Sequence, residues 1–453
     1  MAKRVLLWLI GLGPLVVALL LPRESVSTSL LAGSAPFVGW RLVAAQALTA
    51  TLGCSSLITI IQAWNDHVRR ATALLVGFFL LFTGPIVSSI LTGNGNHLQQ
   101  LLMAPLVSTA LFLASKTRTE QLVLHFRYVL RVYVWGSLAS LLVAPDWATH
   151  YGDNVDALIT HHDYMDLGVG RLAGLTPHPN ALGPICAVSL AVEFARIGRK
   201  PWWVLHALVA TATLMLTESR TGWFCVLALV CLHVRLRNAP KQNLHRWGVF
   251  SLCGAGLLAV VALVANGQQF IPDMMGRRDI MSLNGRTRVW KIALAEFMQS
   301  PLYGRGPMVF SPEYRENVIR DPTLMWAGQA HNQLFQTMAT SGLLGLAGLV
   351  VFLYVILVLG RLAARRTAGL TLSLPIMLVI RGFTESPLEG LGAVTCNLML
   401  VAMVLVLITS ALDGHSDMQS PTISVPSYGI KAQPGPAAES EKIMPVQPSR
   451  ATV

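Results

Sequence analysis

Charge is scarce in this chain. Asp, Glu, Lys and Arg make up 12% of its 453 residues and hydrophobic residues 53%, where an ordinary soluble domain carries roughly 25% charged residues. That balance excludes a soluble globule and calls for lipid around the chain. Acidic residues are scarcer than basic ones, 22 against 34, for a formal net charge of +12. A surplus of that size on one soluble face would suit nucleic acid, but here Lys and Arg fall in short clusters between apolar stretches. They read as signals of membrane topology, and no nucleic-acid partner is expected. Cysteine is sparse too: Cys54, Cys186, Cys225, Cys231, Cys253 and Cys396 all lie within apolar stretches, with neither CxxC spacing nor paired histidine ligands. Neither a disulfide framework nor a zinc site is implied.

What the chain has in quantity is long apolar runs. About twelve of them, most about 15 to 22 residues long, approach the length that carries a helix across about 30 Å of hydrocarbon. They lie at 5–21, 43–63, 71–91, 101–115, 128–144, 181–195, 202–216, 221–234, 249–265, 337–360, 370–380 and 393–411. With Lys3 and Arg4 on the cytoplasmic side, every second connection is basic: Arg69/Arg70, Lys116/Arg118/Arg127, Arg196/Arg199/Lys200, Arg235/Arg237/Lys241/Arg246 and Arg361/Arg365/Arg366. This is the pattern that the positive-inside rule demands. The expected fold is an all-α polytopic membrane protein, a bundle over residues 1–412 with a large extracytoplasmic loop at 266–336. That loop carries helix-like amphipathic stretches such as 286–298, suited to a membrane interface. Residues 413–453, rich in Pro, Ser and Ala, read as a disordered cytoplasmic tail, so that both termini are cytoplasmic.

The outside connections after the fifth run are chemically richer than a linker needs to be. Arg171 through Asn180, Glu218-Ser219-Arg220-Thr221, Asn284-Gly285-Arg286-Thr287-Arg288 and Ala330-His331-Asn332 gather arginine, histidine and amide groups. Arginine is depleted from short outside loops, so its retention there asks for another reason. Guanidinium gives fixed bidentate donors to phosphate, and at an outer membrane face a diphosphate lipid is the obvious anion.

At these same residues the sequence resembles the O-antigen ligase and O-antigen polymerase superfamily. The resemblance rests on Arg171 with Pro177-His178-Pro179-Asn180-Ala181-Leu182-Gly183, on Ser219-Arg220-Thr221-Gly222-Trp223, and on Gly285-Arg286 with Trp290. It continues through Ser300-Pro301-Leu302-Tyr303-Gly304-Arg305-Gly306 and through His331-Asn332 leading into Ser341-Gly342-Leu343-Leu344-Gly345. It covers about 170–412. It implies a metal-independent, inverting glycosyltransferase of a bacterial plasma (inner) membrane with an extracytoplasmic active site. Such an enzyme moves a glycan from undecaprenyl diphosphate to a glycan or lipid acceptor, with membrane lipid around it and no cofactor. In keeping with this, the outside connections contain no Asp-x-Asp-type pair; carboxylates at that spacing occur only as Glu439 and Glu441. Without a divalent ion, fixed cations must neutralise the leaving diphosphate. By the resemblance, Arg220, Arg286 and His331 are the catalytic positions, with His331 as general base because imidazole titrates near neutrality. Arg171, Asn180, Arg288, Asn332, Arg381 and Glu385 are candidates for substrate binding.

Each candidate has a plainer reading beside it. Arg220 also fits a snorkelling residue at a helix end, and the Arg286/Arg288 pair fits an interfacial helix touching lipid phosphates. Which of those two matches the family's arginine is open in the sequence. His331 also fits a helix start with Asn332 as its cap, and His178-Pro179-Asn180 a turn. Arg381 and Glu385 fit an ion pair with each other. His161, His162 and Asp163 make a metal-like cluster without evident partners, and no metal site is assigned. A ligase and a polymerase share the donor and differ in acceptor, so the motifs do not separate them. A transporter or flippase of lipid-linked sugar would instead set its charges at mid-membrane depth.

Overall fold

A computed structural model describes residues 7–8, 11–13, 15–16, 51, 72–93, 117–150, 171–195, 202–235, 286–320, 324, 327–364, 366–388 and 396–413. The described chain is predominantly helical. Its main helices are α1 (Thr72–Leu91), α2 (Thr119–Val143), α3 (Pro179–Phe194), α4 (Trp203–Thr217), α5 (Arg220–Arg235), α6 (Arg286–Gln299), α7 (Gln333–Ala363), α8 (Leu370–Thr384) and α9 (Cys396–Asp413). The runs expected at 71–91, 181–195, 202–216, 221–234, 337–360, 370–380 and 393–411 each coincide with one of these helices. Nearly all of 5–21 and 43–63, the whole of 101–115 and 249–265, the first part of the large outside connection and the tail after 413 lie outside the described residues. Two of the helices, α2 and α7, are long and apolar enough to cross a membrane by length and composition; the other bundle helices are apolar but shorter.

Outward faces of the bundle are apolar. Val76, Phe79 and Ile90 on α1, Phe224 and Leu227 on α5, and Val350, Tyr354 and Leu362 on α7 are all exposed. A surface of this kind suits hydrocarbon rather than water. The faces turned inward form one continuous core that includes Phe78, Leu130, Ile185, Leu214, Phe352 and Met403.

Helix α2 corrects the sequence reading. It starts at Thr119, nine residues before the apolar run, so Arg127 belongs to a helix and not to a connection. Burial of its charge is tolerable because Glu193 of α3 lies opposite. Arg131 grips that carboxylate through Nε (2.6 Å) and Nη2 (3.0 Å). Arg127 Nη2 donates to the Val192 carbonyl (3.1 Å), with Nε 3.6 Å from Glu193. A buried charge survives only when paired in this way.

Helix α7 is broken at Gly342, whose φ of 60° and ψ of −153° are closed to residues with a side chain. The break leaves carbonyls and amides that a bundle interior must satisfy, and the Ser300–Gly306 segment does this. Leu343 N–H donates to Pro301 O (2.8 Å) and Leu344 N–H to Leu302 O (3.1 Å), while Arg305 and Gly306 N–H donate to Ala339 O and Thr340 O (2.9 and 3.1 Å). Ser88 of α1 adds its hydroxyl to Thr340 O at 2.7 Å. A Cβ on Gly304 would strike the Thr340 and Ser341 backbone, and one on Gly84 of α1 would strike Gly345. Two sequence motifs far apart are therefore halves of one joint.

The described part of the large outside connection has its own small core. Val289 and Ala293 of α6 pack with Val309, Phe310, Leu324 and Ala330, and Trp290 stacks on Phe335 with ring centroids 5.1 Å apart. Arg288, Leu294 and Met298 stay on the exposed side of α6, the amphipathic division expected of an interfacial helix. One antiparallel two-residue pairing, Thr149–His150 with Arg171–Leu172, accompanies the helices and brings His150 opposite Arg171.

Candidate functional site at the helix ends

Four helix starts meet one helix end. Ser219 caps α5, its hydroxyl accepting from Gly222 N–H at 3.3 Å. Glu218, in the left-handed region at φ 50°, turns the chain from α4 into α5. Arg220 is thereby the first residue of α5 and exposed. Thr221 shares a 2.5 Å hydrogen bond with Thr384 at the end of α8. In Ser-Arg-Thr-Gly each position thus has a job: cap, outward cation, tie to α8, and a glycine set against the backbone of Gly183.

The start of α3 is built the same way. His178 Nδ1 accepts from Asn180 N–H at 3.0 Å, with Pro179 in the first turn. Asn180 Oδ1 accepts from Arg171 Nη2 at 2.9 Å, and Arg171 also donates through Nε to Thr217 O at 3.2 Å. Arg171 therefore bridges the pairing that holds it, the α3 start and the α4 end.

Arg286 and His331 arrive from α6 and from the residue before the α7 cap. Arg286 Nη1 donates to Thr384 O at 2.9 Å, and its Nη2 lies 3.7 Å from Glu385 Oε1. His331 Nδ1 donates to Glu385 Oε2 at 3.0 Å. The His331 backbone sits at φ 49°, sparsely populated for a residue with a Cβ and of a kind that gathers at functional sites. Its neighbours hold it there: Ala330 N–H is bonded to Gln336 Oε1, and Ala330 O accepts from Trp290 Nε1 at 2.9 Å. Asn332 is the α7 cap, accepting from Leu334 and Phe335 N–H at 2.9 and 3.3 Å and donating to Phe383 O at 3.2 Å. This is a scaffold role for the side chain.

Glu385 is the hub. Besides Arg286 and His331 it accepts from Asn180 Nδ2 (3.1 Å) and Gln329 Nε2 (2.9 Å). Burial alone would push its carboxyl up, but the His331 hydrogen bond and charge, together with Arg286 and His178, outweigh it and hold the group at about 2. Glu385 is accordingly ionised at any physiological pH. Its close partners come from other elements and not from Arg381 one turn earlier. Arg381 is buried, and its Nε and Nη1 have no hydrogen-bond partner among the described residues.

Of the sequence candidates, Arg171, Asn180, Arg286, His331 and Glu385 are thus joined in one network, with Asn332 supporting it from the same turn. Arg220 stands beside it through Thr221, while Arg288 lies on the exposed side of α6. Gln329 and Thr384 escaped the sequence reading; neutral side chains in unremarkable spacing give no local signal. The His161-His162-Asp163 cluster lies outside the described residues. Among the described residues, no group of three or more His, Cys, Asp or Glu side chains converges as metal ligands do.

Residues 205–350 match the family described as O-antigen ligase. Over that stretch the chain is similar to the O-antigen ligase family. The match takes in Arg220, Arg286, Arg288, His331 and Asn332 and ends before Arg381 and Glu385. At this level the domain indicates a ligase- or polymerase-like enzyme of the glycosyltransferase kind that handles lipid-linked glycans, in a family whose members are typically integral membrane proteins. No curated protein matches the chain.

Proposed function

We propose that this O-antigen ligase-like protein transfers a glycan from undecaprenyl diphosphate to a hydroxyl acceptor at the outer face of a bacterial plasma membrane. The observation that carries this reading is the meeting of Arg171, Arg286 and His331, from segments far apart in the chain, around Glu385, with Arg220 beside them. Helix starts add partial positive charge. Together they favour an anion with several oxygens, and a linked pair of phosphates is such an anion.

In this reaction the acceptor oxygen attacks the anomeric carbon from the face opposite the diphosphate. A bond forms from that oxygen to the sugar, the bond from the sugar to the diphosphate oxygen breaks, and the electron pair leaves with undecaprenyl diphosphate. Direct displacement inverts the anomeric centre. Arg220 and Arg286, assisted by Arg288 or Arg171, neutralise the charge that grows on the leaving group, a role that needs no divalent ion. His331 takes the proton from the acceptor hydroxyl. The clustering of polar groups at helix ends favours a transferase over a transporter, whose charges belong at mid-depth.

The acceptor is lipid A-core for a ligase and a second lipid-linked repeat for a polymerase; we favour the ligase. The test uses the purified full chain in detergent, a chelator, an undecaprenyl-diphosphate glycan and each acceptor class in turn. Transfer to lipid A-core with inversion, undiminished by the chelator, is the expected result. Transfer only to a second lipid-linked repeat makes the protein a polymerase, and failure with both acceptors removes the transferase reading.

A further inference from the structure

Glu385 has little acceptor capacity left for a substrate. An ionised carboxylate offers about four lone-pair sites. Here Oε1 receives Asn180 Nδ2 and faces Arg286 Nη2, while Oε2 receives Gln329 Nε2 and His331 Nδ1. The residue is 6% exposed. Little of the carboxylate is open to a glycan, and its contacts are with its neighbours.

We propose that Glu385 is a positioning residue for His331, accepting its Nδ1–H so that the ring's lone pair stands on Nε2 and faces the acceptor. The inference rests on the transferase reading above. An imidazole has two tautomers, and the partner of one nitrogen decides which of them is present. A carboxylate that only accepts selects the form with its proton on Nδ1. When Nε2 takes the acceptor proton, the ring becomes a cation beside a fixed anion, and that cation is stabilised where it forms. The proton on Nδ1 does not move, Glu385 remains ionised, and the proton gained at Nε2 passes to water afterwards.

The surroundings suit this use. The cationic and titratable groups facing Glu385 are Arg286 from α6, His331 before α7, His178 before α3 and Arg381 from its own helix, with the Asn180 and Gln329 amides donating from beside His178 and His331. These keep the carboxylate charged without taking it away from the ring. The strained backbone at His331 fits the same purpose, since the short bond to Glu385 fixes where a residue at φ 49° sends its side chain. The same carboxylate ties the base to the arginines, directly to Arg286 and through Asn180 to Arg171. One anion therefore sets the spacing between the group that takes the proton and the groups proposed to hold the diphosphate.

The test compares wild type, Glu385→Gln and Glu385→Asp as full-length protein in detergent. Release of undecaprenyl diphosphate from a lipid-linked glycan gives kcat and KM; binding of undecaprenyl diphosphate alone serves as the check on folding. Glu385→Gln is expected to lose about 10²-fold in kcat with KM and undecaprenyl diphosphate affinity within about threefold. Glu385→Asp, which keeps the charge at shorter reach, recovers at least about tenfold of that loss. Unchanged kcat in Glu385→Gln overturns the role, and so does a loss that follows the binding of undecaprenyl diphosphate and is no smaller in Glu385→Asp. Wild-type protein that releases nothing from any donor removes the transferase reading, and the role of Glu385 with it, whereas an active wild type beside an unchanged Glu385→Gln removes only the latter.

Discussion

His331→Ala should slow glycan transfer by about 10² to 10³-fold, with undecaprenyl diphosphate affinity within about threefold of wild type. The ring is expected to act only when the acceptor proton moves, so its loss falls on kcat and not on donor binding. The side chain is partly exposed, at 17%, and truncating it empties no apolar core position. Asn332 would still cap α7 through Leu334 and Phe335, and monodisperse protein of normal yield is expected. Steady-state kinetics on purified protein, with binding of undecaprenyl diphosphate measured in parallel, checks this. Equal turnover in wild type and variant would leave His331 a helix-start residue and nothing more.

The second large effect belongs to Arg286 and separates it from Arg288. Arg286 holds Thr384 O and approaches Glu385 from inside the network, whereas Arg288 stands on the exposed side of α6. Arg286→Ala is expected to cost about 10² to 10³-fold in kcat/KM, the usual range for removing one donor from a developing anion. Arg288→Ala should cost less than about tenfold, as a peripheral contact to phosphate does. Arg286→Lys should recover little, because an ammonium offers one point of charge where the site uses a planar fork of donors. Reversal of the two alanine values would move the diphosphate to the outer side of α6.

Much of this site was legible as separate pieces. Arg171 with Asn180, Arg286 and His331 each stood in a polar motif where topology gave no reason for charge, and the resemblance supplied their common theme. Their assembly was not legible, because it depends on Glu385, an acid 54 residues after His331 and 205 after Asn180. Nothing near Glu385 in sequence announces those partners, and its neighbour Arg381 suggested a simpler pairing. Gln329 and Thr384 were invisible for the same reason.

The fold divides similarly. Apolar length located most of the described helices to within a few residues, since burial in a bundle and burial in lipid ask for the same side chains. Helix α2 was misjudged at its start because Arg127 looks like a connection until Glu193 is placed opposite it. Gly342 was visible as a Ser-Gly pair, yet the apolar run around it hid the break. Only the Ser300–Gly306 segment, by filling the orphaned backbone groups, shows why a long helix is interrupted there.

The most direct measurement is a structure of the full chain in nanodiscs with undecaprenyl diphosphate bound. The phosphates are predicted within hydrogen-bond reach of the Arg220 and Arg286 guanidinium groups, with the terminal phosphate oxygen beside His331 and the prenyl chain leaving sideways into lipid. Phosphates seated elsewhere in the bundle, or touching neither arginine, would contradict the account.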